Sequence, residues 1–250
     1  MGAQHSVGVR IGVQLGWFIA LFSALIVSIL IGWFTLSIWD YGFSFWYDFY
    51  EIQAHIHHFG PQNRYVHGLE LISAQEHLRL FSEIAYAIHH HGAGLAEISF
   101  EYRGNLQPML RPEEVIHLQD VANLIDSLRN LLFICLPLTL LMSATLIGQR
   151  LMPSWPMQLA LVGVVIGAVV IWILVAGAKA VFYEIHVWIF PPDHDWFFYY
   201  QDSLMSTLMK APFLFGGIAM VIAFIALNVF ATYLAGLMLT QRRRYLKKTA

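Results

Sequence analysis

Cysteine is nearly absent: the chain has one, Cys135, in 250 residues. That excludes a disulfide framework and any Cys-x-x-Cys redox or metal motif. Cys135 lies in the apolar stretch 131–141, directly before Leu136 and Pro137, and reads as a buried, inert thiol. Charge is scarce as well. Asp, Glu, Lys and Arg make up 12% of the chain, against about 25% in soluble domains. Hydrophobic residues reach 58% and the mean hydropathy is +0.60, so the chain is an integral membrane protein. A net charge of −2 gives no reason to propose a nucleic-acid partner. No Gly-x-Ser-x-Gly elbow or Ser-x-x-Lys pair is present, so chemistry through a serine acyl-enzyme has no support. Ser203 and Ser206 in Gln-Asp-Ser-Leu-Met-Ser read as helix-start residues.

What the chain does have is long apolar runs. Residues 11–38 exceed the roughly 20 needed to cross a bilayer. They are too long for a signal-peptide core and no Ala-x-Ala site follows, so the first span is expected to be uncleaved. Further spans are expected at 129–147, 158–181 and 212–239, with an outer cap at 39–128 and a second outer loop at 182–211. Arg10, Arg150 and the tail Arg242, Arg243, Arg244, Lys247 and Lys248 fall on one side of these spans. Every Asp and Glu, and every histidine except His5, falls on the other side or at its border. The positive-inside rule then predicts both termini in the cytoplasm. The fold class is an all-α membrane protein with four transmembrane helices, N-in and C-in, carrying a small mixed α/β extracytoplasmic cap. The basic tail also suits anionic lipid. Lys179, near an outer end, is the one charge within a span, which argues against an ion transporter. No repeat, linker or second domain stands out.

Inside the cap, residues 40–59 are aromatic-rich and suit the interface. Ser73-Ala-Gln-Glu76 is a capping-box pattern. Leu78, Phe81, Ala85 and Ile88 follow at helical spacing, and Gly92 and Gly94 end the run. Ala96, Ile98, Phe100 and Tyr102 alternate as in a strand, and Arg103-Gly-Asn105 suits a hairpin turn. Arg111-Pro-Glu-Glu114 then starts a helix, with Pro112 in its first turn and carboxylates at its positive end. Nothing breaks that helix before Pro137, so it is expected to run into the second span.

The stretch 182–205, FYEIHVWIFPPDHDWFFYYQDSLM, concentrates the candidate chemistry where a buried helix meets water. His186, His194, Glu184, Asp193, Asp195 and Asp202 sit within a belt of aromatic side chains. Belts are ordinary at the headgroup level, whereas titratable groups at that depth are costly without a purpose. His117 and Asp120, three apart, share a helix face, so the carboxylate can orient the imidazole. Each of His117 and His186 alone also reads as a histidine with its polar tip in water. Together, on helices that must pack, two neutral imidazoles can divide a reaction, one accepting a proton and the other donating to an oxyanion. Glu184 is a further orienting candidate, for His186. The remaining histidines invite a metal reading, at His55, His57 and His58 and in the run His89-His90-His91. That spacing follows no zinc signature, since three consecutive residues mostly cannot share one ion. The run reads more simply as a solvated helix end beside the negative dipole. No metal or other cofactor is expected.

These residues resemble a family, the lipoprotein intramolecular transacylases of the membrane. Its marks are E-x-x-H-M-x-D-V entering the second span and F-H-x-x-F-F…W-x-F after the third. Glu114-Val-Ile-His117-Leu-Gln-Asp120-Val121 matches the first with Leu118 for Met, and Ile185-His186-Val-Trp-Ile-Phe190…Trp196-Phe197-Phe198 matches the second loosely. The loop Pro191-Pro-Asp-His-Asp195 adds a histidine and two acids to the family pattern. The resemblance implies transfer of the sn-2 acyl chain of a lipoprotein's diacylglyceryl-cysteine to that cysteine's own α-amino group, leaving a lyso-form lipoprotein. It implies His117 and His186 as the catalytic pair, Asp120 and Glu184 in support, and Trp188, Trp196 and Phe197 against the substrate. The implied partners are a diacylated lipoprotein and membrane lipids, and the implied place is the bacterial cytoplasmic membrane with the site facing outward. The competing expectation is a non-enzymatic, histidine-rich metal-binding or structural protein of the cell envelope, in which the cap histidines would converge.

Overall fold

The structure is a computed structural model that describes the backbone of residues 2–249 and the side chains of residues 8–243. His5 and the basic tail residues Arg244, Lys247 and Lys248 therefore lie outside the described side chains. In chain order the main elements are helices α1 (Gly2–Ser37), α2 (Phe43–Phe49), α3 (Ile52–Phe59) and α4 (Ala74–His89), then the strands β1 (Ser99–Tyr102) and β2 (Asn105–Pro108). Helices α5 (Pro112–Gly148), α6 (Trp155–Ala176), α7 (Ala178–Ile189), α8 (Leu204–Met209) and α9 (Phe213–Thr249) follow. Among the described residues four stretches are long and apolar enough to cross a membrane: Gly8–Ser37, Pro112–Gly148, Trp155–Ala176 and Phe213–Arg243.

Contacts divide the chain into two units. The first comprises Met1–Trp33, Arg129–Gly177 and Ile222–Ala250. Its core is Trp17, Leu21, Ala24, Ile147, Val162, Phe230 and Leu237. Here polar side chains answer needs that lipid cannot meet. Pro137 lies inside α5 and removes one backbone donor. Around it the Ser23 hydroxyl donates to the Cys135 carbonyl (3.0 Å), the Thr139 hydroxyl donates to Ser23 (3.0 Å), and Ser143 meets the Tyr233 hydroxyl. Gln14, a mild interruption in the first apolar run, receives a Gln158 amide N–H on its carbonyl at 2.9 Å. Only 6% of the most apolar window of α6 is buried by protein, the state of a helix whose remaining surface meets lipid.

The second unit comprises Phe34–Leu128 and Ala178–Val221. Ser73 caps α4 as its sequence predicts, its hydroxyl accepting the Glu76 N–H at 3.2 Å. Glu76 does not complete the box but pairs with Arg79, which also donates to the Ser99 carbonyl at 2.7 Å and so ties α4 to the hairpin. Phe43 stacks on Phe81 at 3.8 Å between centroids, over a core that includes Ile52, Ile56, Leu80, Ile84 and Phe100. The strands pair antiparallel from Ser99↔Pro108 to Tyr102↔Asn105. Both turn residues are left-handed, Arg103 at φ 52° and Gly104 at φ 76°, which matches the twist of a tight hairpin. Gly68 (φ +105°) has no alternative, since a Cβ there would stand 2.4 Å from the Tyr102 ring.

Three expectations need correction. The span expected through Val181 stops at Ala176, because Gly177 turns to φ 85°, ψ 141° and α7 begins afresh. The outer loop expected over 182–211 is partly helical, with α7 running to Ile189 and α8 spanning Leu204–Met209, which leaves 190–203 as an irregular strap. Nor is His89 simply solvated. Its Nε2 lies 2.6 Å from the Tyr41 hydroxyl and its ring 6.0 Å from Phe34, because α4 packs this last turn inward.

Candidate active site

Helix α5 is 37 residues long, about 55 Å at 1.5 Å per residue, against roughly 30 Å of hydrocarbon. Its first turns therefore extend well past the apolar part of the span. Pro112 opens it and Glu114 follows, fully buried. The Glu114 carboxylate accepts the Arg111 backbone N–H at 2.7 Å and the Ser203 hydroxyl proton. Ser203 in turn caps α8, accepting the Ser206 N–H at 2.8 Å. One buried carboxylate thus binds the start of α5 to the far end of the strap.

One turn on, His117 is 8% exposed. Its ring centroid lies 6.3 Å from that of His186 on α7, with the planes 31° apart. Aromatic rings close around the two: Phe190 is 5.0 Å from His117 and 5.2 Å from His186. Phe198 is 6.0 Å from His117, while Phe182 and Trp196 stand 4.0 Å and 5.0 Å from His186. The His186 Nδ1–H donates to the Phe182 carbonyl at 2.7 Å. A carbonyl can only accept, so this bond fixes the tautomer and leaves Nε2 with its lone pair. Burial pushes the His186 imidazole below its ordinary value, and the Phe182 carbonyl offsets part of that. His186 is therefore neutral at pH 7. On His117, Nδ1 is buried with no hydrogen-bond partner. Buried polar atoms are nearly always paired, and this one belongs to a ring whose neighbours are His186, Phe190 and Phe198.

The other expected site residues fall into place unevenly. Among the described residues no hydrogen bond joins Asp120 to His117. Asp120 Oδ2 accepts instead from His194 Nδ1–H at 2.6 Å, because the strap crosses α5 one turn after His117. Glu184 is exposed and makes no hydrogen bond or ion pair with His186. Residues two apart on a helix point about 200° apart, so Glu184 and Trp188 both leave the face that His186 occupies, and Trp188 is 69% exposed. Trp196 belongs to the enclosure. Phe197 packs on Tyr183 at 5.5 Å and not on either imidazole. Sequence reasoning placed Phe190 in the aromatic belt but did not single out Phe182, although the i−4 and i+4 spacing of the two about His186 puts both on its face. It also passed over the long-range pairs Glu114–Ser203 and Asp120–His194, for which no local signal exists.

The cap histidines do not converge. His55 packs between Tyr200 (4.5 Å) and Phe59 (4.7 Å). Its imidazole is pushed down to about 4, chiefly by burial and further by the Lys210 and His58 charges. His90 donates to the Tyr86 carbonyl at 2.8 Å and His91 to Asp126 at 2.6 Å. With His89 on Tyr41, the run of three fans out to three partners. Among the described residues no group of three or more His, Cys, Asp or Glu side chains could hold a metal ion.

The family model for the lipoprotein intramolecular transacylase Lit matches residues 18–213. None of the curated proteins matches. Among solved structures, a histidine-to-arginine variant of the membrane integral lipoprotein intramolecular transacylase Lit from Bacillus cereus is similar with a TM-score of 0.69. It is 13% identical over 99% of this chain and 100% of that one. A histidine-to-alanine variant of the same protein gives 0.67 and 13% identity over 98% and 100%. At such identity the likeness establishes a shared fold, while the family model, matching most of the length, establishes membership. The chain belongs to the lipoprotein intramolecular transacylase family and is a multi-pass membrane acyltransferase.

Proposed function

We propose that His117 and His186 carry the transfer of the sn-2 acyl chain of a lipoprotein's diacylglyceryl-cysteine to the cysteine's own α-amino group. The observation that carries this reading is the pair itself: two imidazoles 6.3 Å apart inside an aromatic enclosure. His186 is the base, because its Nδ1 proton is committed to Phe182 and its Nε2 lone pair is open. The amine attacks the ester carbonyl, the new N–C bond forms, and Nε2 takes the amine proton. His117 donates to the developing oxyanion. As the C–O bond to glycerol breaks, the proton is delivered to the departing sn-2 oxygen. No proton or electron is consumed, and no second substrate or covalent enzyme intermediate is needed. Amine and ester belong to one bound molecule, and such enforced proximity contributes roughly 7–11 kcal/mol in well-aligned cases. Acid–base and oxyanion assistance add about 10²–10⁴-fold each.

In this reading the two tails of the glyceryl group lie against the apolar side chains that α7 exposes, among them Val187 and Ile189. Trp196 closes the site above them, and Glu114 and Asp120 hold the frame. Arg10, Arg150, Arg242 and Arg243 on one side and the acids on the other support cytoplasmic termini and an outward-facing site in the cytoplasmic membrane. The test is mass spectrometry of N-terminal lipopeptides from cells with the wild-type protein, His117→Ala, His186→Ala, or none. N-acyl, S-monoacylglyceryl-cysteine is expected with the wild type alone. Its continued appearance with either variant would remove that histidine from the mechanism.

A further inference from the structure

The strap 190–203 supplies Phe190, Trp196 and Phe198 to the enclosure around the imidazoles, yet it has no regular secondary structure to hold it. Its far end is fixed by Ser203 on Glu114. Its middle touches α5 through a different bond, His194 Nδ1–H on Asp120 Oδ2 at 2.6 Å. His194 stands two residues before Trp196 and four before Phe198, and Asp120 lies one turn beyond His117 on the same helix. A half-exposed ion pair adds little to folding stability, but a charge-assisted hydrogen bond is short and directional.

We propose that Asp120 and His194 are positioning residues for the acyl transfer: their ion pair fastens the strap across α5 and so holds Trp196 and Phe198 against His186 and His117. This inference rests on the proposed role of the two imidazoles. The titratable and charged groups around His194 are Asp120 on α5 and Asp193 and Asp195 on the strap itself. The hydrogen bond to Asp120, and secondarily the charges of Asp120 and Asp193, hold the His194 imidazole above its ordinary value. The fastening is therefore complete below the ordinary histidine range and weakens as pH rises through that raised value.

The test uses the full-length protein in lipid vesicles with a synthetic diacylglyceryl lipopeptide, reading the rate of lyso-form production for wild type, Asp120→Asn, His194→Gln and the double variant. Each single variant is expected to lose about tenfold in rate, since small displacements of positioning groups cost this much or more, and the double variant is expected to be no worse than either. Across about pH 6 to pH 9, a window spanning the histidine range, the ratio of the wild-type to the His194→Gln rate is expected to fall toward one. Taking a ratio cancels the titration of His186 common to both proteins. His194→Lys keeps a cation opposite Asp120 and is expected to hold its rate at the alkaline end better than the wild type, a comparison that decides the matter even if His194→Gln fails to fold. Additive losses, or ratios flat with pH, would overturn the pair as a positioning device. Loss of activity in His117→Ala beside wild-type rates in Asp120→Asn and His194→Gln would sink the strap proposal alone. Full activity in His117→Ala would instead sink the proposed chemistry.

Discussion

Two buried histidines of the second unit, His77 on α4 and His117 on α5, differ in what their nitrogens touch. The Tyr47 hydroxyl donates to His77 Nδ1 at 2.7 Å, and His77 Nε2–H donates to the Leu69 carbonyl at 2.8 Å. The ring is 0% exposed and both nitrogens are satisfied, so it serves as a cross-brace between α2, α4 and the turn at Leu69. His117 is buried almost as well, yet its Nδ1 has no partner. A fold that leaves a buried donor or acceptor unmet forgoes about 1–3 kcal/mol, and this ring stands 6.3 Å from a second imidazole among aromatic rings. Burial is alike in the two rings; what differs is hydrogen-bond satisfaction, complete at His77 and incomplete at the proposed catalytic His117.

The largest expected effect tests that contrast directly. His117→Ala and His186→Ala should each lower the acyl-transfer rate by about 10³-fold, the range for a lost acid–base or oxyanion group, with the melting temperature unchanged or raised. His77→Phe should do the opposite. It leaves the Tyr47 hydroxyl and the Leu69 carbonyl without their partner, a cost of roughly 2–4 kcal/mol in stability, while the protein that remains folded turns over normally. Thermal melts alongside lipopeptide turnover would check both. A His77 variant that folded normally but had lost turnover would break the comparison.

Acid supplies the next test. His77 and His186 are held below their ordinary values chiefly by burial, and His55 is pushed down to about 4. Unfolding below about pH 6.5 therefore takes up protons that the folded protein refuses, so this stability is present above the histidine range and lost as pH falls toward 4. Denaturation followed from pH 7 to pH 4 should show a falling midpoint. His55→Gln should flatten that fall, because the ring packed against Tyr200 and Phe59 would no longer resist protonation. An unchanged slope would mean that His55 already finds water in the folded state.

How much of this could be read from residue order varies by interaction range. The Ser73 cap, the Pro112 start and the hairpin turn all depend on neighbours within a turn, and all appear where local rules put them, whereas α5 runs on through Pro137 against the local preference. The proximity of His117 and His186 was legible because their helices were expected to pack together at the membrane surface. The break at Gly177 was not, since an isolated glycine within an apolar run is often tolerated by a helix. Asp120 was given to His117 on helix geometry, but a residue 74 positions away outcompeted it. Glu114, fully buried, found its partner 89 positions away in Ser203. Long-range polar pairs of this kind decide the site's shape, and no periodicity reports them.

The smallest effects sharpen the point within α7 and its strap. Trp196 lies 5.0 Å from the His186 ring, whereas Trp188 and Glu184 leave the opposite face of the helix, both exposed. Trp196→Ala should lower turnover about tenfold by opening the enclosure to water, which weakens the electrostatic help the imidazoles give. Trp188→Ala and Glu184→Ala should each change turnover less than about twofold, as surface changes away from a site usually do. If Trp188→Ala proved as damaging as Trp196→Ala, substrate would have to reach the outer face of α7, and the enclosure around His117 and His186 would be one part of a larger binding surface.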